Sequence, residues 1–151
     1  DGPVIATPAK YKTPVKKGDR LYFHHLVVMQ GGQRLTGVDN SYFVKYDPEH
    51  AVNNQAIAYK DKKGRIHPLD GWSLLSAIEE EEKEDGTIEV VSLKEELPTK
   101  GVVAFDSKEL KSIGVKKGDV VGFKQNRDYR IKIDGKEYYR TRIEDLLYVE
   151  Q

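Results

Sequence analysis

The chain has 151 residues, of which 38% are hydrophobic and 33% charged, so it has enough apolar sequence for a folded core and too much to be disordered. Lys and Arg number 25 and Asp and Glu number 25, and the chain therefore lacks the net positive charge that favours nucleic-acid binding. The absence of cysteine excludes disulfides, thiolate metal sites and a cysteine nucleophile and fits a cytoplasmic location, and no apolar run approaches the roughly 20 residues that span a membrane.

The first predicted strand leads into a segment that has no counterpart later in the chain. Residues 20–23 follow a Lys-Gly-Asp turn and are predicted to form a strand. Segment 24–41 then holds a short apolar run followed by two glycines, a loop-tip signal. Two interpretations stay open: a longer strand and hairpin that pack as core, or a displaced partner-binding loop whose extended apolar run adds to a partner's edge or groove. The candidate partner-binding residues are Leu26, Val27, Val28 and Met29.

A helix-like spacing and an acidic run come next. Within residues 69–84, Leu74, Leu75 and Ile78 are spaced as on one side of a helix. Residues 79–86 are mostly acidic and end in glycine. Because like charges repel and extend a chain, we interpret this run as a solvated connector between two units. The alternative is an acidic interaction patch.

The second half of the chain has the pattern of short β-strands joined by turns, which is typical of a small β-barrel. Residues 129–133 alternate apolar and polar side chains, as a half-buried strand does. Asp134-Gly135 is a type I′ turn signal, which predicts a hairpin over residues 129–140. One helical turn is predicted at 143–146. Short apolar runs predict further strands at residues 102–105, 120–123 and 147–149.

The two halves of the chain contain matching segments. Residues 15–19 and 115–119 are both Val-Lys-Lys-Gly-Asp, and each precedes a predicted strand. Three pairs of segments correspond in the same order: 2–6 with 101–105, 15–19 with 115–119, and 72–75 with 144–147. Matches in one order predict two copies of one unit.

The predicted fold class is therefore all-β, with two small β-barrel units in tandem. The first unit is predicted over residues 1–78, with an insertion at about 24–41. An acidic linker follows at 79–86, and the second unit occupies 87–151. Units of this size are marginally stable alone, so the two are expected to pack together or to oligomerise.

Four segments of the second copy stand in the order, and close to the spacing, of a known family. The most specific part is the Lys-Ile-Asp-Gly-Lys-Glu-Tyr hairpin followed by the closing Asp-Leu-Leu strand. The segments are 101–104, 114–123, 131–138 and 143–149. Through them the second copy resembles the GroES family of ten-kilodalton co-chaperonins over nearly all of residues 101–151. The first copy is similar at fewer places: residues 2–6, 15–23, 42–47 and 70–75.

The resemblance implies two GroES-like barrels and a non-catalytic co-chaperonin that assists protein folding. Such a protein caps or modulates an ATP-dependent, GroEL-like chaperonin ring and forms a homo-oligomer. In that family a long, glycine-rich mobile loop with an exposed apolar tripeptide binds the chaperonin. Its place in the second copy is 91–100, which is too short and lacks the triplet, and segment 107–114 is too short for the family's roof hairpin. Family subunits pair first strand to last, which implies the interface residues Ile88, Val90, Val91, Leu147 and Val149.

Two other functions stay open. The first is a GroES-like fold reused as a protein-binding or structural module without chaperonin contact. The second is a small-barrel nucleic-acid binder that uses the basic hairpin tip 60–65 and a platform of tyrosines, against which the zero net charge counts. The tyrosines are Tyr129, Tyr138, Tyr139 and Tyr148.

No catalytic, cofactor or metal site is predicted. The neighbours His24 and His25 point to opposite faces of an extended chain, so they cannot share one metal from a strand. Their spacing to His50 and His67 matches no metal signature, and no motif orders a nucleophile, a base and an acid.

Overall fold

The chain forms short strands that hydrogen-bond into two sheets. The computed structural model describes residues 1–24, 26–29, 34–37, 40–50, 54–78, 100–124 and 129–150. The strands are β1 Gly2–Pro3, β2 Arg20–Phe23, β3 Ala56–Lys60, β4 Ile66–Pro68, β5 Trp72–Ser76, β6 Lys100–Val103, β7 Val120–Phe123, β8 Tyr129–Ile133, β9 Lys136–Arg142 and β10 Leu146–Glu150. The helices are α1 Leu26–Met29 and α2 Lys108–Ser112, and Ile143–Asp145 is a 3₁₀ turn. The predicted mainly β fold class is confirmed. Neither of these helices is long and apolar enough to cross a membrane.

The order of the strands places β5 with the C-terminal strands. One sheet has the order β1-β2-β3-β4 and the other β10-β7-β6-β5-β9-β8, with antiparallel neighbours throughout. Leu75 of β5 lies opposite Val103 of β6, and Trp72 lies opposite Arg142 of β9. The second sheet therefore includes a strand that the sequence pattern grouped with the first repeat.

The segment with helix-like spacing contains the strand β5 at residues 72–76 and no helix among its described residues 69–78. All four residues of Trp72–Leu75 are buried, so both faces of β5 are covered. A strand of this kind loses the period-two alternation by which a half-buried strand is recognised. The prediction of helical spacing over 69–84 is thus wrong for residues 72–76. Residues 79–84 and the predicted linker 79–86 lie outside the described residues, between two strands that pair with each other, and the division into domains stays a prediction.

The predicted hairpin and its turn are confirmed. β8 and β9 pair along their length, with Ile133 opposite Lys136 at the turn. Asp134 and Gly135 have φ of 51° and 79°, and positive φ at both central residues defines the type I′ turn. The helical turn predicted at 143–146 is the 3₁₀ turn before β10.

The repeated Val-Lys-Lys-Gly-Asp segment makes the same corner in both sheets. In each corner the glycine N–H donates to the carbonyl of a valine at the end of a strand or just after it, and the N–H of that valine donates to the carbonyl of the aspartate. The triplets are Gly18–Val4–Asp19 and Gly118–Val103–Asp119, with bonds of 2.8 and 2.9 Å respectively. Gly18 and Gly118 have φ of 91° and 92°, a region that glycine reaches without a Cβ clash.

The strand after each corner also pairs in a repeated register. β2 pairs with β3 as β7 pairs with β10, and both pairs have an irregularity at the same place. The opposed residues are Arg20–Lys60, Leu21–Tyr59, Tyr22–Ala58 and Phe23–Ala56 in one pair, and Val120–Glu150, Val121–Val149, Gly122–Tyr148 and Phe123–Leu146 in the other. β3 is therefore the counterpart of β10, and the sequence match of 72–75 with 144–147 is wrong. Duplication of a whole barrel stays a prediction.

The described residues form three apolar clusters, and one of these clusters joins the two sheets. That cluster brings Tyr22, Ile57 and Ala58 of the first sheet against residues of the second, namely Trp72, Leu74, Ile133 and Tyr138. A further cluster lies inside the second sheet under α2, and a third lies beside β3. Because Ile57, Ala58 and Leu74 have no exposed surface, the contact between the sheets excludes water as a domain core does.

Helix α2 was not predicted, although the sequence carries its signals. Ser107 is the N-cap, and its Oγ accepts the Leu110 N–H at 3.2 Å. Glu109 in the first turn accepts the Gly71 N–H at 2.9 Å, which ties the helix to the start of β5. Leu110 has no exposed surface and anchors the helix on the second cluster. Segment 107–114 thus holds a short helix in place of a hairpin.

Removing the N-cap should destabilise the protein measurably. We expect Ser107→Ala to lower the free energy of unfolding by about 1 kcal/mol, because the Leu110 N–H loses its acceptor. The control is Ser112→Ala near the other end of α2, where an exposed hydroxyl donates to the Glu109 carbonyl. It should stay within about 0.5 kcal/mol of the unchanged protein in urea denaturation. Equal losses for both variants would contradict the capping role.

Candidate partner-binding surfaces

The last strand presents an apolar edge. β10 is the outermost strand of the six-stranded sheet and has β7 as its neighbour. Its side chains Leu147, Tyr148 and Val149 are 57%, 50% and 37% exposed. An edge strand with exposed apolar side chains offers both backbone hydrogen bonds and apolar surface to an added strand.

Tyr148 and the residues around it hold β10 in place. A Cβ on Gly122 would lie 2.3 Å from Tyr148 Cε1, so the ring occupies the space that a side chain on β7 would fill. The register irregularity of β10 falls at Leu147, between Leu146 and Tyr148. Glu150 Oε2 lies 3.0 Å from Lys100 Nζ, and this hydrogen bond raises the pKa of Lys100.

The predicted interface residues are described in part. Leu147 and Val149 lie on the edge strand β10 with partly exposed side chains. Ile88, Val90 and Val91 lie outside the described residues. The subunit interface therefore stays a prediction.

The apolar run 26–29 forms one helical turn, so the extended conformation predicted for it is wrong. The Val27 N–H donates to the His24 carbonyl at 3.0 Å, which closes the turn. Val27 is 1% exposed and Val28 is 46% exposed, so within this turn one valine packs and the other faces solvent. Partner binding through Leu26, Val27, Val28 and Met29 stays a prediction.

The basic hairpin tip carries cations that are paired with carboxylates. Lys60 Nζ lies 2.7 Å from Asp134 Oδ1, and Arg65 Nε lies 3.1 Å from Asp61 Oδ2. The hydrogen bond with His67 and those from Arg65 hold the pKa of Asp61 well below its usual range. These contacts weaken the case for a phosphate-binding tip, because the positive charges at 60 and 65 are already balanced.

The tyrosines proposed as a stacking platform make different packing contacts, for those whose side chains are described. Tyr138 is 8% exposed and packs on Phe105, with ring centroids 5.4 Å apart. Tyr139 packs beside Phe123 with centroids 6.4 Å apart, and Tyr148 covers Gly122. None of these arrangements is a row of open rings on one face.

One group of possible metal ligands occurs among the described residues. Ligand atoms of Asp47, Glu49 and His50 lie within 4.8 Å of one another at the surface. His50 Nδ1 lies 3.2 Å from Asp47 Oδ2, and Asp47 Oδ1 accepts the backbone N–H groups of Glu49 and His50. The aspartate thus serves as the acceptor of a local turn, which such residues commonly do without a metal.

Comparison with known proteins assigns the chain to a family. The model of the family described as "Chaperonin 10 Kd subunit" matches residues 65–149, more than half of the chain. The chain therefore belongs to this family, the one to which its resemblance to GroES pointed. The match begins at β4, before β5, so that both strands and the connection between β5 and β6 fall inside it.

Individual relatives agree with the family match. Co-chaperonin GroES of Desulfotalea psychrophila is 34% identical over 90 residues, which are 55% of this chain and 95% of that protein. Co-chaperonin GroES of Thermus thermophilus is 34% identical over 93 residues, covering 57% and 92%. Co-chaperonin GroES of Kosmotoga olearia is 31% identical over 83 residues, covering 55% and 93%. These matches support a co-chaperonin role at the level of the family.

Proposed function

We propose that this protein is a co-chaperonin that binds an ATP-dependent, GroEL-like chaperonin ring and caps or modulates it without catalysing a reaction. The observation that carries the proposal is the pairing of β5 with β6 inside the region matched by the family. This pairing makes residues 77–99 one long connection between neighbouring strands. The protein is proposed to work in the cytoplasm and as a homo-oligomer.

We propose that the long connection between β5 and β6 is the place of a mobile loop. The sequence division placed the loop at 91–100, because the second unit was taken to begin at 87. With β5 in the same sheet as β6, the connection begins after Ser76 and ends before Lys100. Its residues 79–99 lie outside the described residues. Their sequence carries a glycine followed by the apolar residues Ile88, Val90 and Val91.

We assign these three apolar residues to the chaperonin contact rather than to the subunit interface. The resemblance implies an apolar tripeptide in a long, glycine-rich loop, and residues 86–91 supply one glycine and three apolar side chains that Glu89 interrupts. An apolar segment in a long connection can enter a groove of a partner, with its side chains as anchors. The run of glutamates before it departs from the family's glycine-rich composition.

The experiment is a binding measurement with a purified chaperonin ring and ATP. We expect the protein to co-migrate with the nucleotide-bound ring in native mass spectrometry. The variant Ile88→Asp/Val90→Asp should lose at least about tenfold in affinity, since losing anchor residues costs 1–2 kcal/mol or more. The matched control Ile113→Asp adds a charge at a residue that is 55% exposed near α2 and should bind normally.

The possible results of this experiment test the co-chaperonin function and the loop assignment separately. A protein that never associates with the ring overturns the co-chaperonin proposal. Association that survives Ile88→Asp/Val90→Asp overturns the assignment of the loop and directs attention to Val28, which lies on α1 and is 46% exposed.

A second candidate function has one observation in its favour. The resemblance implies a roof hairpin after β6, whereas residues 108–112 form the helix α2. A helix in place of the roof hairpin is compatible with a GroES-like fold that is reused as a protein-binding module. Absence of chaperonin binding together with a stable, folded protein is the result that favours this candidate.

A further inference from the structure

A cleft of about 300 Å³ lies where the chain leaves the second sheet at the end of β5. Ser76, the last residue of β5, forms part of its wall. Val102 and Phe105 give the wall apolar surface, and Tyr138 packs against Phe105 with ring centroids 5.4 Å apart. A volume of this size is at the lower end of the range for ligand pockets and is large enough for a few side chains.

Two exposed lysines also line the cleft. Lys117 belongs to the second Val-Lys-Lys-Gly-Asp corner, and Lys136 begins β9. Lys136 Nζ lies 5.4 Å from the centre of the Tyr138 ring. Within the described part of the chain neither lysine forms an ion pair. The cleft therefore combines an apolar wall with two positive charges that the described residues do not balance.

The carboxylates around these lysines have other partners. Asp134 Oδ1 lies 2.7 Å from Lys60 Nζ, and Glu137 Oε1 lies 3.2 Å from Arg130 Nε. Asp106 Oδ1 accepts a backbone N–H of the corner at 2.7 Å. None of these three carboxylate residues lines the cleft. A segment that brings its own carboxylates therefore complements the charge of the cleft.

The chain carries such a segment directly after the cleft. Two residues beyond Ser76 follow, and residues 79–82 are then four consecutive glutamates, which lie outside the described residues. Because an extended residue spans at most about 3.6 Å, Glu79 lies within about 11 Å of Ser76. A short tether of this kind keeps the glutamates at an effective concentration in the millimolar range, so even weak surface ion pairs are populated.

We infer that the acidic run 79–82 binds in this cleft, with its carboxylates on the ammonium groups of Lys117 and Lys136. The run is then an acidic interaction patch whose site lies in its own chain, rather than a solvated connector. The contact fixes the direction in which the connection between β5 and β6 leaves the sheet. The inference does not depend on the proposed function, because the contact is made within the chain.

The first test compares amide spectra of the isotope-labelled full chain with those of a variant without the four charges. This glutamine variant is Glu79→Gln/Glu80→Gln/Glu81→Gln/Glu82→Gln. The amides of Phe105, Gly118 and Tyr138 should shift in it, although they are distant in sequence, because the carboxylates leave the cleft that these residues line.

Two pairs of lysine variants show whether this response comes from the cleft. In a chain with Lys117→Gln/Lys136→Gln, the same glutamine changes should shift the cleft amides at least about threefold less, since the carboxylates then have no cation there. The matched control Lys12→Gln/Lys45→Gln removes two exposed lysines that do not line the cleft, and it should leave the response unchanged.

The second test adds a peptide of residues 77–85 to both chains. It should shift the same cleft amides in the glutamine variant, whose cleft has lost its occupant. The unchanged chain should bind the peptide at least about fivefold more weakly, because the tethered run competes for the two lysines. Spectra of the lysine variants should match the unchanged chain away from the cleft, which shows that the fold is kept.

Three results would overturn the inference. The first is a glutamine variant whose cleft amides do not shift, and the second is a response that Lys117→Gln/Lys136→Gln leaves at full size. The third is equal binding of the peptide by both chains. That result describes a cleft that takes acidic segments of other molecules and is not occupied by the chain's own run.

Discussion

Leu74→Ala should lower the free energy of unfolding by about 3 kcal/mol, within the range of 2–5 kcal/mol for large-to-small changes in a core. Leu74 has no exposed surface and lies in the cluster shared by the two sheets. Truncation removes buried methyl groups and leaves a cavity in the cluster that also holds Ile57 and Tyr138. Urea denaturation followed by the fluorescence of Trp72, the one tryptophan of the chain, reports directly on this cluster.

The control for this variant is Leu147→Ala, which removes the same atoms from a side chain that is 57% exposed. It should change stability by no more than about 0.5 kcal/mol. Because the cluster joins both sheets, far-ultraviolet circular dichroism and Trp72 fluorescence should shift together in Leu74→Ala. A loss below about 1 kcal/mol, or separate transitions for the two probes, would contradict a shared core.

Gly122→Val should cost about 2 kcal/mol, although valine favours strands, because the new side chain overlaps Tyr148. The Cβ position lies 2.3 Å from Tyr148 Cε1 and 2.4 Å from Cζ, so the ring must leave the face of β7. Displacing the ring loosens the pairing of β10, the edge strand of its sheet. Urea denaturation measures the loss, and hydrogen exchange at β10 should accelerate more than at β9.

A double variant separates the clash from a general effect of replacing glycine. Tyr148→Ala removes the ring that valine meets, so Gly122→Val/Tyr148→Ala should be more stable than the sum of the two single effects predicts. A coupling energy of about 1 kcal/mol is expected for residues in such direct contact. Strict additivity would show that the loss comes from the backbone of β7 and not from Tyr148.

Features fixed by a few neighbouring residues were readable from the sequence. The alternation in 129–133 and the Asp134-Gly135 pair predict a hairpin and a type I′ turn, and both are observed. The shared Val-Lys-Lys-Gly-Asp segments predict a repeated corner. In both, the N–H of the first lysine donates to the Oδ2 of the aspartate three residues later, at 2.8 Å for Lys16 and 3.0 Å for Lys116. In each case the backbone conformation is determined by residues within a few positions of one another.

Features that depend on what a segment packs against were misread. β5 is buried on both faces and so lacks the alternation of a half-buried strand, which made its spacing resemble a helix. The short run at 26–29 forms a helical turn in which Val27 packs, although its composition suits a strand equally well. The sequence comparison matched 72–75 with 144–147 and missed β3 as the counterpart of β10. Similarity of a few apolar residues does not reveal which strands pair.

The sequence alone determined the turns, the mainly β class, the repeated corner and the resemblance to GroES, because each can be recognised from short segments of contiguous residues. Only the tertiary structure decided which distant strands are neighbours. β5 lies beside β6, which makes 77–99 a single connection, and β4 lies beside β3, which places the first strand of the family-matched region in the other sheet. The physical reason is that any strand has two edges with the same backbone donors and acceptors. Its partners are chosen by the burial of side chains far apart in the chain, as Ile57 and Leu74 are here.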